Sequence, residues 1–323
     1  MIRLLSVMRY FLCFLVLGFV VAPARAQERA PKFYAVVVGI SNYEGSLALK
    51  AKLDEGAAQV KVALEQYARK AGYHEKNVNV SLHVDRDPKT PTIPPHLILT
   101  YVHEASIKTQ DTRDTFVFFF TGHGSFTKGK MWLYASKSQE GNDSNYVEFQ
   151  RIIDKFAQSK AATKLLFIDA CQILVDPSAL GDGPVLYGMN MKEMSELLPQ
   201  GTAIFYASSK GMPAHIDFSV GFGYFTKHLV AVLSGSGTES VSANGLRYAS
   251  QLDEYFKRVV PKDVADKEKR EQEPYATLDG KLAFDLMPLV PASPVRACKK
   301  ESDEVSVPTI INGVVAWSKQ CLD

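Results

Sequence analysis

Four short runs in this chain are apolar along almost their whole length: Tyr34–Ile40, Thr115–Phe120, Lys164–Ile168 and Thr202–Tyr206. A strand with one wet face alternates, so a strand without alternation must be covered on both sides. Around these runs lie stretches with apolar residues at helical spacing, Ala51–Lys70, Pro94–Thr109, Tyr146–Ser159, Gly223–Leu233 and Tyr248–Val260. Val78–Val84 alternates like a strand, Met131–Tyr134 reads as a short one, and Lys281–Leu286 as the last. Strands separated by helices imply an α/β fold whose mainly parallel six-stranded sheet carries helices on both faces. In such sheets the functional groups gather at the carboxyl ends of the strands.

The remaining segments are of other kinds. Arg3 and Arg9 precede the apolar run Phe11–Ala22, and Ala24-Arg25-Ala26 offers a small-residue cleavage site, so residues 1–26 read as a secretory signal and localisation as exported, periplasmic or secreted. The apolar run falls short of the roughly 20 residues a membrane span needs, so no stable span is expected after cleavage. The formal charge of +2 drops by three when Arg3, Arg9 and Arg25 leave, and a near-neutral chain without basic runs gives no case for nucleic-acid binding. Lys262–Glu273 reads as a solvated loop, and Pro288, Pro291 and Pro294 mark a linker opening a tail over residues 287–323. That tail contains Val305–Ile310 and Gly313–Trp317 around a turn, a small C-terminal hairpin flanked by Cys298 and Cys321. A disulfide between these two would contribute roughly 3 kcal/mol. Cys13 departs with the signal, leaving Cys171 as a free thiol in an exported protein.

Two strand ends carry chemistry. The run ending at Phe120 continues into Thr121-Gly122-His123-Gly124-Ser125, and the run ending at Ile168 into Asp169-Ala170-Cys171-Gln172. If the two strands are neighbours, an imidazole and a thiol emerge side by side, and small glycines let backbone N–H groups approach a reacting carbonyl. Singly, His123 is also what a turn requires, and Cys171 what a buried strand end accepts. Competing motifs fail: Gly124–Lys130 nearly spells a P-loop, but Met131 stands where Ser or Thr is required. There is no G-x-S-x-G elbow and no H-E-x-x-H helix. His74, His83, His96, His103, His215 and His228 lack ligand spacing. No cofactor or metal site is expected, and the residues say nothing for or against calcium. Asn79 and Asn142 lie in glycosylation sequons.

Four stretches give the chain a family likeness: Tyr34–Tyr43, Phe118–Ser125, Leu165–Gln172, and Phe205–Gly211 followed by Gly223–Leu229. With His123 and Cys171 about 50 residues apart, as in caspases, the chain resembles the caspase and metacaspase superfamily of cysteine peptidases, which includes legumain-like enzymes and the catalytic subunit of the GPI transamidase. The likeness spans residues 32–286. It implies that Cys171 is the nucleophile, His123 the general acid and base, and the N–H groups of Gly124 and Cys171 the oxyanion hole. It makes Asp169 an acid of the S1 pocket favouring Arg or Lys; the residue also reads as a carboxylate capping a loop beside the site. Ala207, Ser208, Ser209 and Lys210 would pair with an extended protein or peptide substrate. The loop Gln172–Gly201 corresponds to a segment cleaved on activation in many relatives, with Lys192 a conceivable cleavage point. Two departures stand out. Gln172 replaces the His of metacaspases and the Arg of caspases, matching transamidase-type relatives, and Gly56, beside Asp54 and Glu55, replaces a second pocket Asp. The implied function is a secreted cysteine endopeptidase. A legumain- or transamidase-like asparaginyl peptidase or ligase, and a catalytically silent binding protein of this fold, are the alternatives.

Overall fold

The computed structural model describes residues 29–85, 91–127, 130–139, 142–172, 198–234, 249–279, 304–311 and 314–321. Its centre is a six-stranded sheet built from β1 (Phe33–Gly39), β2 (Val78–Val84), β3 (Thr115–Thr121), β7 (Thr163–Asp169), β8 (Thr202–Tyr206) and β11 (Tyr275–Leu278). The order is β11-β8-β7-β3-β1-β2, parallel throughout except for β11, which runs against β8. The mainly parallel sheet expected from the sequence is therefore the one found.

Both faces are covered, which is why the central strands are apolar at every position. On one face Val37, Val117, Phe119, Phe167 and Phe205 meet α1 (Leu53–Lys70), α4 (Tyr224–Ser234) and α5 (Ala249–Glu268). On the other, Val38, Phe116, Phe118, Phe120 and Ile168 meet α2 (Pro95–Lys108) and α3 (Phe149–Phe156). Helix α1 earns its place through Leu53, Ala57, Val60 and Leu64, one buried stripe at helical spacing. Its ends match the helix dipole, with Asp54 and Glu55 in the first turn and Arg69 and Lys70 in the last. Among the described residues no helix is long and apolar enough to cross a membrane.

Two expectations are corrected, and the sixth strand is located. Tyr146–Glu148 is not the start of a helix but strand β6, pairing with β5 (Lys130–Tyr134), which in turn pairs with β4 (Gly124–Thr127) in a small antiparallel sheet. The Tyr134 and Tyr146 rings stack 3.9 Å apart across that pairing, so cross-strand contact overrides local periodicity. The charged segment Lys262–Glu273 is not a loop throughout: α5 runs through Pro261 to Glu268. Leu252, Phe256, Val260 and Val264 form one buried four-residue repeat across the proline, and Lys267 pairs with Asp217 at 2.9 Å. Their burial outweighs the single backbone bond a helix loses at proline. The sixth strand of the sheet is Tyr275–Leu278, while residues 281–286 lie outside the described residues.

The tail forms the hairpin β12 (Glu304–Ile311) and β13 (Val314–Cys321), with Glu304 opposite Cys321. Cys298, the signal over residues 1–26, the prolines 288, 291 and 294, and Lys192 lie outside the described residues. β9 (Ile216–Asp217) and β10 (Phe222–Gly223) make a short hairpin ahead of α4.

Phe119 has no exposed surface and stands at the middle of the sheet, whereas Val62 on α1 is 49% exposed. Phe119→Ala is expected to cost about 3–5 kcal/mol in urea unfolding, and Val62→Ala no more than about 0.5. Equal costs for the two would contradict this core.

Candidate functional site

β3 and β7 are parallel neighbours in register, their last pair being Thr121 and Asp169. The pairing extends past the sheet, because Gly122 N–H donates to the Asp169 carbonyl at 3.2 Å. His123 and Cys171, each two residues beyond that last pair, thus leave the sheet from the same edge at adjoining positions. Close backbone approach demands the glycines on either side of His123. A Cβ on Gly122 would lie 2.4 Å from the Tyr43 hydroxyl, and one on Gly124 only 3.0 Å from the Cys171 carbonyl oxygen.

The imidazole is held from several sides. Its Nε2 lies 2.7 Å from the Leu47 carbonyl, and since a carbonyl only accepts, Nε2 carries the proton and Nδ1 is left as a base. The Tyr43 ring packs against it at 4.5 Å between centroids, and Tyr134 stands at 6.2 Å. The backbone is fixed as well. His123 N–H donates to the Tyr43 hydroxyl at 2.8 Å, that hydroxyl donates to the Tyr134 carbonyl at 3.2 Å, and Tyr134 N–H donates to the His123 carbonyl at 3.0 Å. Burial lowers the His123 pKa and the bond to Leu47 partly offsets it.

The thiol is engaged elsewhere in this resting state. Cys171 Sγ accepts from Ala214 N–H at 3.4 Å and approaches the Ala214 carbonyl at 3.5 Å. No hydrogen bond joins it to the His123 ring among the described residues. Burial raises the Cys171 pKa, the Ala214 N–H opposes this, and the nearby Asp169 charge adds to it. Cys171 is a free, half-buried cysteine.

Asp169 is held against the start of α4. The residue is buried, and its Oδ2 accepts from the N–H of Thr226 at 3.2 Å and from the Thr226 hydroxyl. It thereby caps the first turn of α4, where backbone donors have no partner within the helix. Gly223 leaves room for this carboxylate, since a Cβ there would lie 2.1 Å from Oδ2. Desolvation raises the Asp169 pKa to about 6 against the opposing bonds from Thr226. Oδ1 has no hydrogen bond among the described residues. Gly56 faces the same region, its missing Cβ lying 2.8 Å from Phe222 and 3.3 Å from Thr226.

Two buried glutamines organise the neighbouring segment. Gln172, 1% exposed, donates from Nε2 to the Ser208 carbonyl at 2.8 Å and accepts from the Tyr275 hydroxyl at 3.3 Å. Its own N–H and carbonyl bond Met212 and Gly211. Gln272, fully buried, donates to the Ala207 carbonyl at 2.9 Å and accepts from His215 N–H at 2.8 Å. Within the edge expected to meet substrate, Ala207 and Ser208 are therefore buried with their carbonyls engaged. Ser209 and Lys210 are half-buried, the Lys210 ammonium lying 5.0 Å over the Phe126 ring.

Sequence reasoning found His123, Cys171 and Asp169 but gave no role to Tyr43, Leu47, Ala214 or Gln272. Leu47 and Ala214 act through backbone atoms, which leave no mark on residue type. Tyr43 stood in a quoted motif, and only the distance to His123 shows what it does. Gln272 sat in a segment whose charges masked it.

The sequence model of the caspase domain family matches residues 32–281. No curated protein matches the chain. Among solved structures, the crystal structure of caspase-1 from Spodoptera frugiperda is similar, with a TM-score of 0.50 and 16% identity over 77% of this chain and 86% of that one. At that identity the likeness concerns the fold.

Because the folded pKa of Asp169, about 6, lies above the ordinary 3.8, the native protein holds this proton more tightly than the unfolded chain. Wild type is expected to gain stability relative to Asp169→Asn as pH falls from 7.5 through 6 toward 4. Urea midpoints measured on both proteins across that range check it, and a constant gap between them would refute the burial of an ionisable carboxyl here.

Proposed function

Since the chain belongs to the caspase-domain family of cysteine peptidases, we propose that it is an exported endopeptidase in which Cys171 attacks and His123 moves the protons. The observation that carries this reading is the shared register of β3 and β7, which brings the two residues out of the sheet together.

The protonation states favour a stepwise account. With the imidazole pKa lowered and the thiol pKa raised, both groups are neutral at rest. Nδ1 of His123 takes the thiol proton as Sγ attacks the scissile carbonyl, so charge develops only during bond formation. The N–H groups of Gly124 and Cys171 receive the oxyanion, and the imidazolium then returns its proton to the leaving amine. Water, activated by the same imidazole, hydrolyses the thioester. For this sequence to begin, the thiol gives up its two contacts with Ala214 as substrate enters.

A basic residue at P1 suits the pocket. Oδ2 of Asp169 is committed to Thr226, and Oδ1, which has no hydrogen bond among the described residues, would meet an Arg or Lys. Beyond the pocket, the segment Ala207–Lys210 would meet an extended peptide through groups other than the carbonyls of Ala207, Ser208 and Ser209, which are already bonded to Gln272, Gln172 and Met212. Export rests on residues 1–26, whose charged start, apolar run and small-residue site form a secretory signal.

Fluorogenic peptides with Arg, Lys, Asn or Asp at P1 test the assignment on the chain lacking residues 1–26. Cleavage after Arg and Lys is expected, falling by about a thousandfold or more in Cys171→Ala and His123→Ala. Asp169→Ala is expected to lose the basic preference more than the activity on other peptides. Cleavage after Asn alone would move the protein to the legumain- and transamidase-like reading. Absence of cleavage with partner binding intact in Cys171→Ala would make it a binding protein.

The pH profile gives a separate check. The free enzyme needs a neutral imidazole, so kcat/KM rises with pH through the His123 pKa, which burial places below the ordinary 6.5. An acid limb at or above 6.5 would contradict a desolvated His123.

A further inference from the structure

The loop from Ser41 to Leu47 touches the imidazole twice, through the Tyr43 side chain and the Leu47 carbonyl. Such a loop is mobile unless its backbone is tied down, because few of its own groups can pair with each other. The tie is Asp85, the first residue beyond β2, which is 1% exposed. Its Oδ1 accepts from Ser41 N–H at 2.6 Å and from Asn42 N–H at 3.3 Å, and its Oδ2 accepts from the Ser136 hydroxyl at 2.6 Å. The Ser136 Oγ in turn accepts from Ile93 N–H at 2.7 Å. Further backbone bonds join the loop to the segment after β5: Lys137 N–H to the Asn42 carbonyl at 2.8 Å, and Glu44 N–H to the Ser138 carbonyl at 3.2 Å.

One carboxylate therefore gathers the start of the loop, the segment after β5 and the approach to α2. The next residue along from Asn42 is Tyr43. A buried carboxylate stands desolvated at a cost, and burial pushes the Asp85 pKa up against these hydrogen bonds.

We propose that Asp85 is a positioning residue for His123: by clamping Ser41 and Asn42 it sets Tyr43 and the Leu47 carbonyl, which fix the orientation and tautomer of the imidazole. The inference rests on the reading of His123 as the proton-transfer group and deepens it. Asp85 itself does not touch the imidazole. Tautomer control matters because only the form protonated on Nε2 leaves Nδ1 free to accept the thiol proton.

The test compares wild type with Asp85→Ala, Asp85→Asn and Tyr43→Phe. Rates on the preferred peptide are normalised to sites titrated by a thiol-directed peptidyl inhibitor, so unfolded molecules do not count. Asp85→Ala is expected to lower kcat per titrated site roughly tenfold or more, with KM changed by no more than about twofold, the signature of a misplaced catalytic group. Asp85→Asn keeps an acceptor for the two amides and is expected to recover most of that loss. In parallel, 15N spectra of the His123 ring are expected to show one tautomer, protonated on Nε2, in wild type and Asp85→Asn, and a mixture in Asp85→Ala. A normal per-site kcat together with an unchanged tautomer in Asp85→Ala would overturn the proposal. If that variant does not fold, Tyr43→Phe decides in its place: it keeps the ring but not the bond to His123 N–H, and an unchanged per-site kcat would overturn the clamp. If instead wild type cleaves none of the peptides, or Cys171→Ala and His123→Ala retain cleavage, the peptidase reading fails. The ring spectra then still decide whether Asp85 orients His123.

Discussion

The pairing of β3 with β7 is the constraint on which the rest of the site depends. Residues from distant parts of the chain are brought to one edge by a ladder in which Thr121 faces Asp169 and Gly122 still bonds the Asp169 carbonyl. Side chains on a strand alternate between faces, so a slip of one residue would turn every member of a strand to the opposite layer. Here such a slip would drive Phe116, Phe118 and Phe120 from one helical layer into the other, against Val117 and Phe119. The core thus protects the register, and the register aligns His123 with Cys171.

Above the sheet, polar side chains do the work that apolar packing does below it. Loops that leave strand ends expose backbone groups that must be paired when buried. The side chains of Gln172 and Gln272 satisfy three such groups of the Ala207–His215 segment, and Asp85 satisfies two of the Ser41–Asn42 turn. A glutamine suits this use because it offers donors and an acceptor at once without a charge to desolvate. Gln172 also stands immediately after Cys171, so the pairing that orders the Ala207–Gly211 segment is covalently continuous with the thiol. The residue that departs from related motifs in the sequence is, in the fold, tied to three backbone groups and the Tyr275 hydroxyl.

The fold was legible wherever two covered faces left their mark on residue type, as in Phe116–Phe120 or Leu165–Ile168. It was not legible where local pattern and tertiary pairing disagree. Tyr146–Glu148 has helical periodicity but is drawn into a strand by Trp132–Tyr134, and Pro261 reads as a stop although Val264 continues the buried stripe beyond it. Within the site the positions of His123 and Cys171 could be read from strand ends and neighbouring small residues. The contacts of Leu47 and Ala214 could not, because a carbonyl or an amide belongs to any residue. Asp85 escaped notice because its partners Ser41 and Asn42 are 44 and 43 positions away, a distance at which no spacing rule links a carboxylate to a turn.

Burial also sets the electrostatic character of the site. It moves His123 and Cys171 in opposite directions, and both shifts favour the neutral form. A preformed ion pair would have to overcome two desolvation costs before gaining its attraction. Asp169 differs, for a pKa of about 6 leaves it mostly ionised at neutral pH while buried and bonded through one oxygen. Folding has then already met part of the cost of desolvating that carboxylate, and an arriving guanidinium or ammonium would gain attraction without incurring it again. On that reasoning a basic side chain would have an advantage in the proposed P1 pocket that an uncharged one lacks, independent of shape.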